Sequence, residues 1–377
     1  MTETMLRNIQ ENADRVFFPY LGEDNIFTKG IKLDNELFRV GDFSVYWYGF
    51  LIALGALLAI IFAFTKFKKF GINPDKATDA IIGGFIGAVV GARLYYVLFS
   101  LSDYIVGGKI QWKEIINIRD GGLAIYGGII GALLVGGIIT HIHKIRVLAL
   151  FDLVGMGLLI GQTMGRWGNF FNQEAYGSVT KMPWGMTSAK IISELSPVVS
   201  TQAADIVVHP CFLYESLWCI LGFVLLNLYM KKRKFDGEIF FMYLAWYGLG
   251  RAMIEGLRTD SLYIGNTSLR VSQLLAISCV VIAISVIAVI RIKIKESGNY
   301  KFFYETDISI EQLEAYNNPP KKEKEKITKE DKKDISKAID NAFEENKKID
   351  EDEINLDVFD DNDDDDYEED DDDGDAD

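Results

Sequence analysis

Apolar residues run nearly unbroken over seven stretches of the chain, roughly 44–65, 78–101, 120–141, 147–168, 208–230, 237–257 and 270–291. Each is about as long as the 20 residues that a helix needs to cross a hydrocarbon core. The pattern predicts an all-α, polytopic membrane protein with about seven transmembrane helices. Glycines dilute the third stretch and make it the weakest of the seven. Residues 1–43 lack a basic start, an apolar run and a small-residue cleavage site, so no cleavable signal peptide is expected.

The polar positions between the stretches orient them. Lys66, Lys68, Lys69 and Lys76 follow the first, Lys144 and Arg146 the third, Lys231, Lys232, Arg233 and Lys234 the fifth, and Arg291, Lys293 and Lys295 the seventh. All four basic turns fall on one side if the spans alternate, and the positive-inside bias makes that side cytoplasmic. The N-terminus is then outside and the C-terminus inside. The loop after residue 168, with only Lys181 and Lys190 for positive charge, also faces out.

Glycines every four residues, at Gly83, Gly87 and Gly91, at Gly127 and Gly131, and at Gly157, Gly161 and Gly165, form small stripes on helix faces, which read as close helix packing in lipid for all but Gly165, which belongs to the polar string 165–177.

Charge changes the picture at one end only. The 377 residues carry a formal −15, yet residues 351–377 hold eighteen Asp or Glu and no Lys or Arg. The first 350 residues therefore stand at +3, the difference between −15 and −18. Three parts are expected: an extracytoplasmic segment 1–43, a membrane domain 44–296, and a cytoplasmic, largely disordered tail 297–377 with an acidic end. Ile335, Ile339 and Phe343 are spaced for a short amphipathic helix within that tail.

Ionisable residues inside or beside apolar spans mark function or internal ion pairs. Arg93 lies deep in the second stretch. Arg251, Glu255 and Arg258 are spaced by four and three, on one face of the sixth, and Arg166 lies at the same end of the fourth. Two arginines for one carboxylate, with Arg166 added, leave positive charge that suits an anion. Arginine grips phosphate bidentately and does not titrate. With Asn169, Asn172 and nearby aromatic residues at a lipid interface, the implied anion is a phospholipid head group.

Other chemistries find little support. His141 and His143 sit in a basic turn and leave His209 without companions for zinc. Cys211, Cys219 and Cys279 lie in apolar spans without metal or redox spacing and read as small buried side chains. There is no Gly-x-Ser-x-Gly elbow and no phosphate-cradling P-loop. A membrane lipid transporter and a non-catalytic phospholipid-binding scaffold stand as alternatives to an enzyme; a transporter would show repeated halves and charge along a path through the bilayer.

The string Gly165-Arg166-Trp167-Gly168-Asn169-Phe170-Phe171-Asn172-Gln173-Glu174-Ala175-Tyr176-Gly177 resembles the motif of prolipoprotein diacylglyceryl transferases. Supporting pieces follow in order: Trp47-Tyr48-Gly49, Gly91-Ala92-Arg93-Leu94, Gly121-Gly122-Leu123, Gly127-Gly128, His209-Pro210, Leu213-Tyr214-Glu215, and Tyr247, Arg251, Glu255 and Arg258. The resemblance covers about residues 40–295. It implies transfer of diacylglyceryl from phosphatidylglycerol to the lipobox cysteine of prolipoproteins. The product is a thioether, and glycerol phosphate is released without a cofactor. The implied setting is a bacterial plasma membrane, with the active site near the outer leaflet and no nucleic-acid partner.

On that resemblance Arg166 and Asn169 hold the head group, Arg251 is a second phosphate arginine, and Gly177 allows close backbone approach. Glu255 and Arg258 orient the group, while Tyr48 and Tyr247 hydrogen-bond the lipid or reactants. Glu174 supports its loop or takes part in the chemistry. Asp152, at the inner end of the fourth stretch, reads as a charge at a helix N-terminus. Where many members of the family carry a histidine as the suggested base, this chain has Tyr126. Tyrosine is a poor base at neutral pH unless positive charge lowers its pKa. Tyr126 lowered by arginines, another base, and a purely positioning Tyr126 all remain open.

Overall fold

The computed structural model describes residues 3–319, apart from 23, 42, 107–108, 119–120, 200–201, 260–262, 264–266 and 268–269, together with Lys337. The stretch containing Ile335, Ile339 and Phe343 lies outside the described residues.

Seven long helices occupy the apolar stretches: Trp47–Lys66, Pro74–Phe99, Ile125–Ile142, Val147–Asn172, Cys211–Tyr229, Glu238–Glu255 and Val271–Ser297. We number them first to seventh. All but the sixth are long and apolar enough to cross a membrane by length and composition. The sixth carries Glu238, Arg251 and Glu255 in eighteen residues, so charge rather than glycine makes one span weak. The fourth helix also runs four residues past the expected end. Half of the polar string is thus the last turns of a helix and not a loop.

Apolar side chains point outward all round the first, third and seventh helices, as lipid-facing surfaces require. The second and third helices form a tight pair. A Cβ at Gly87 would meet the carbonyl of Gly131, and one at Gly91 the carbonyl of Gly127, so only glycine permits this approach. The fourth helix is central, packing against the first, fifth and sixth. Its glycines let the first helix come close: a Cβ at Gly157 would lie 3.3 Å from Ala59 Cβ, and one at Gly55 would lie 3.2 Å from Gly161 Cα. Gly165, within the polar string, has open space where a Cβ would sit.

The basic turns gather at one end of the bundle. There Phe67, Phe70, Ile72, Ile145, Met230 and Phe303 close a buried cluster. Asn73 caps the second helix, accepting from the Asp75 and Lys76 amides ahead of Pro74 at the first helical position. The folded body runs past the boundary expected at residue 296. Helix Asp307–Asn317 docks here through Ser309 Oγ, which donates to the Gly71 carbonyl at 2.6 Å, and Gln312 Nε2, which donates to the His143 carbonyl at 2.9 Å.

At the opposite end a second core forms from segments the hydropathy pattern passes over. Strand Arg15–Phe17 pairs antiparallel with both Ile31–Lys32 and Thr187–Ser188. Phe17, Met186, Ile191, Ile206 and Val208 are buried between them and the end of the fourth helix, where Phe170 joins the cluster. Residues before the first helix and the long loop after the fourth therefore fold together.

Candidate active site

The fourth, fifth and sixth helices bring their charged turns together at this second end. Glu215, one turn into the fifth helix and only 4% exposed, is the hub. Arg166 Nη2 lies 2.6 Å from Glu215 Oε2, and Arg251 Nη1 and Arg258 Nη1 lie 3.4 and 3.3 Å from Glu215 Oε1. Arg251 Nη2 also meets Glu255 Oε2 at 2.7 Å, across one helical turn. The ion-paired cluster holds three guanidiniums and two buried carboxylates. Glu215 Oε2 and Glu255 Oε2 stand close to arginine without hydrogen-bond geometry, so these contacts are charge against charge. Arg166 and Arg251 keep 19% and 20% of their side chains exposed, which leaves donor edges for an outside anion.

A polar chain runs from the cluster to the end of the fourth helix. Arg166 Nη1 donates to Asn169 Oδ1 at 3.2 Å, and Asn169 Nδ2 donates to Glu174 Oε1 at 2.9 Å. Asn172 Nδ2 reaches the same carboxylate oxygen at 3.2 Å. Gln173 turns the chain in the left-handed region and closes the helix, which swings Glu174 back over the last turn. Trp167 Nε1 donates to Ser216 Oγ at 3.1 Å and fixes the register of the fourth helix beside Glu215.

Gly177 holds the third arginine's segment. Its backbone forms a bridge with Arg258 and donates to the His209 carbonyl at 2.9 Å. A Cβ here would lie 2.8 Å from His209 Cβ, 2.9 Å from Cys211 Sγ and 3.0 Å from the Leu257 carbonyl. The close approach expected at Gly177 is thus between chain segments. His209 Nδ1 and the Tyr214 hydroxyl are 3.0 Å apart, and Trp184 Nε1 donates to that hydroxyl at 2.6 Å. Trp184, Tyr214 and His209 thus form one hydrogen-bonded row. Burial pushes His209 below the usual imidazole value.

The tyrosines separate. Tyr48 packs against Gly168 and lines a 610 Å³ cavity with Asn172 and the hairpin residues Ser44–Tyr46, so it borders the site. Tyr247 lies one turn before Arg251 and stacks on Tyr243, with ring centroids 6.0 Å apart. Tyr126 is 54% exposed on the first turn of the third helix, and no hydrogen bond joins its hydroxyl to any described residue. The third helix packs mainly on the second. Arg93 serves structure: it donates to the carbonyls of Glu114, Ile115, Gly121 and Gly122 and holds the segment before the third helix.

Two residues differ from their expected parts. Glu215 was not singled out as a site residue, because its partners lie on other helices. The signal was there: a glutamate inside an apolar span. Asp152 does serve a helix N-terminus, but that of the sixth helix, accepting from the Gly237 and Phe240 amides at 2.9 and 3.0 Å.

The family described as prolipoprotein diacylglyceryl transferase matches residues 35–289, a range that includes every member of the cluster. A phosphatidylglycerol–prolipoprotein diacylglyceryl transferase of Thermotoga maritima is 39% identical over 277 residues, 73% of this chain and 90% of that protein. The protein of the same name from Clostridium novyi is 40% identical over 266 residues, 70% of this chain and 98% of its own. One from Clostridium perfringens is 41% identical over 267 residues, 69% and 97% of the two chains.

Proposed function

Because the chain belongs to the prolipoprotein diacylglyceryl transferase family, we propose that it transfers the diacylglyceryl group of phosphatidylglycerol to the lipobox cysteine of a prolipoprotein. The observation that carries this reading is the trio Arg166, Arg251 and Arg258 around Glu215 and Glu255, at the end of membrane helices. The cysteine sulfur attacks the glyceryl carbon that bears the phosphate. The C–S bond forms as the C–O bond breaks, the electron pair leaves with glycerol phosphate, and the thiol proton leaves to a base.

Charge builds on the phosphate as that bond breaks. Arg166 and Arg251, already fixed by Glu215 and Glu255, meet it without reorganisation, the form of stabilisation that counts most in a site shielded from water. Asn169 holds the head group beside Arg166. Glu255 and Arg258 keep Arg251 and Glu215 in place, and Gly177 keeps the Arg258 segment in register. Tyr48 and Tyr247 border the lipid. The open space at Gly165, next to Arg166 on the fourth helix, gives an acyl chain room to pass. Glu215 and Glu255 are engaged by guanidiniums and do not serve as the base. Tyr126 contacts a reactant in the exposed space before its helix, as positioner or as proton acceptor.

The leaflet follows from charge. The lysine-rich turns lie in the cytoplasm, so the cluster faces the outer leaflet of the bacterial plasma membrane, where secreted precursors arrive. Purified protein given phosphatidylglycerol and a lipobox peptide is expected to add one diacylglyceryl group to the peptide cysteine, seen as a mass increase. A peptide left unmodified by active, folded protein overturns the reading.

A further inference from the structure

We propose that the lysine-rich end carries a second lipid site, a groove between the first and fifth helices that binds the head group of an anionic phospholipid in the adjacent leaflet. The groove has a volume of 480 Å³ and is lined by Lys66, Lys69, Lys231 and Arg233, with Phe70 and Leu228 among its apolar walls. Among the described residues, none of the three lysines has an ion-pair partner.

Arg233 differs from the lysines in being nine-tenths buried. Its guanidinium lies flat against Phe70, 3.9 Å from the ring centroid. Nε and Nη2 are buried without a hydrogen-bond partner, and the nearest carboxylates, Asp152 and Asp236, stand off at 4.0 and 3.9 Å. Arg233 therefore supplies fixed positive charge at the floor of the groove, loosely balanced by two buried carboxylates, while the lysines supply the donors a phosphate would meet. Three unpaired lysines at the mouth give an incoming phosphate a charge gradient toward that floor.

The walls select a lipid over a soluble anion. Deeper along the same seam, Phe62 of the first helix meets Phe223 of the fifth edge-on at 5.2 Å. Leu228, which lines the groove, is exposed beside it. A phosphate seated on the cations would thus have its acyl chains along an apolar seam, the arrangement of basic pockets between membrane helices that hold anionic head groups. This site is at the far end of the bundle from the arginine cluster and does not rest on the transferase reading.

The test uses the full-length protein in detergent, exposed to equal amounts of phosphatidylglycerol and phosphatidylcholine and then weighed by native mass spectrometry. Wild type retains phosphatidylglycerol over phosphatidylcholine. In the Arg166→Gln background, which disables the arginine-cluster site, adding Lys66→Gln, Lys69→Gln and Lys231→Gln at the groove's mouth lowers retained phosphatidylglycerol about tenfold. The Arg166→Gln variant alone keeps this lysine-dependent retention. Equal retention by Arg166→Gln and the combined variant overturns the site. A melting temperature raised by millimolar inorganic phosphate in Arg166→Gln but not in the combined variant, without any preference between the lipids, overturns the lipid and assigns a soluble phosphate instead.

Discussion

At the lysine-rich end, Asp152, Asp236 and Glu238 are fully buried, and each takes a hydrogen bond from a backbone amide: Gly237 and Phe240 to Asp152, Phe303 to Asp236, Lys234 to Glu238. Arg146 and Arg291 add charge partners at 2.7 and 2.6 Å. At the other end Glu215 and Glu255 are as deeply buried, yet among the described residues they are held by arginine side chains alone. Carboxylates tied to amides fix where chain segments go. Carboxylates tied only to guanidiniums fix where the guanidiniums go, and two of these, Arg166 and Arg251, keep an open edge. The first arrangement builds a fold, and the second presents charge to a ligand.

The comparison breaks most sharply under Arg166→Gln. Loss of one donor aimed at developing charge is expected to lower kcat about 10²- to 10³-fold, with a melting temperature near wild type because Glu215 keeps Arg251 and Arg258. Thioether formation and a thermal melt on the same preparation check both halves. A collapse of the melt with normal activity per folded molecule would make the cluster a structural one.

Truncation sharpens the other side. Cutting after residue 300 removes Phe303 from the core and the docking of Asp307–Asn317, and is expected to destabilise the protein by about 3–5 kcal/mol. Cutting after residue 319 leaves that packing whole. Chemical denaturation of the two truncated proteins distinguishes them, and specific activity of the folded fraction is expected to be unchanged in both.

Asp152→Asn keeps the shape but removes the charge that receives two amides at the start of the sixth helix. A loss of about 1–3 kcal/mol is expected, again with kcat unchanged. A fall in kcat comparable to that of Arg166→Gln would erase the distinction between the ends.

The smallest effect concerns pH. Burial lowers the pKa of His209, so the folded protein resists its protonation. The stability this residue contributes is fully present above the unfolded imidazole value of about 6.5 and is lost as pH falls through the lower folded value. Melting temperatures from neutral pH to about pH 5 are expected to fall slightly more for wild type than for His209→Gln. A larger fall in the variant would reverse the sign.

Much of this was legible in the chain. Hydropathy located all seven helices because each buries or exposes apolar residues over its whole length. Spacing of four placed Arg251 and Glu255 together because they share one helix, whereas Arg258 lies past its end and reaches the cluster through the bridge with Gly177. Glu215 escaped because its contacts are made between helices, and spacing within one segment carries no information about those. The small sheet of Arg15–Phe17, Ile31–Lys32 and Thr187–Ser188 escaped for a related reason, its strands being two or three residues long and far apart in sequence. The folded stretch around Phe303 was masked by the charged residues that follow it.

The most direct test follows the leaving group. Phosphatidylglycerol labelled in its head-group glycerol is incubated with lipobox peptide and either wild type or Arg166→Gln, and water-soluble label is counted. Wild type is expected to release labelled glycerol phosphate in step with thioether formed, only when the peptide thiol is present, and Arg166→Gln to release about 10²- to 10³-fold less. Equal release by the two proteins, or release by wild type without the peptide, would contradict the assignment of the arginine cluster as the site of diacylglyceryl transfer.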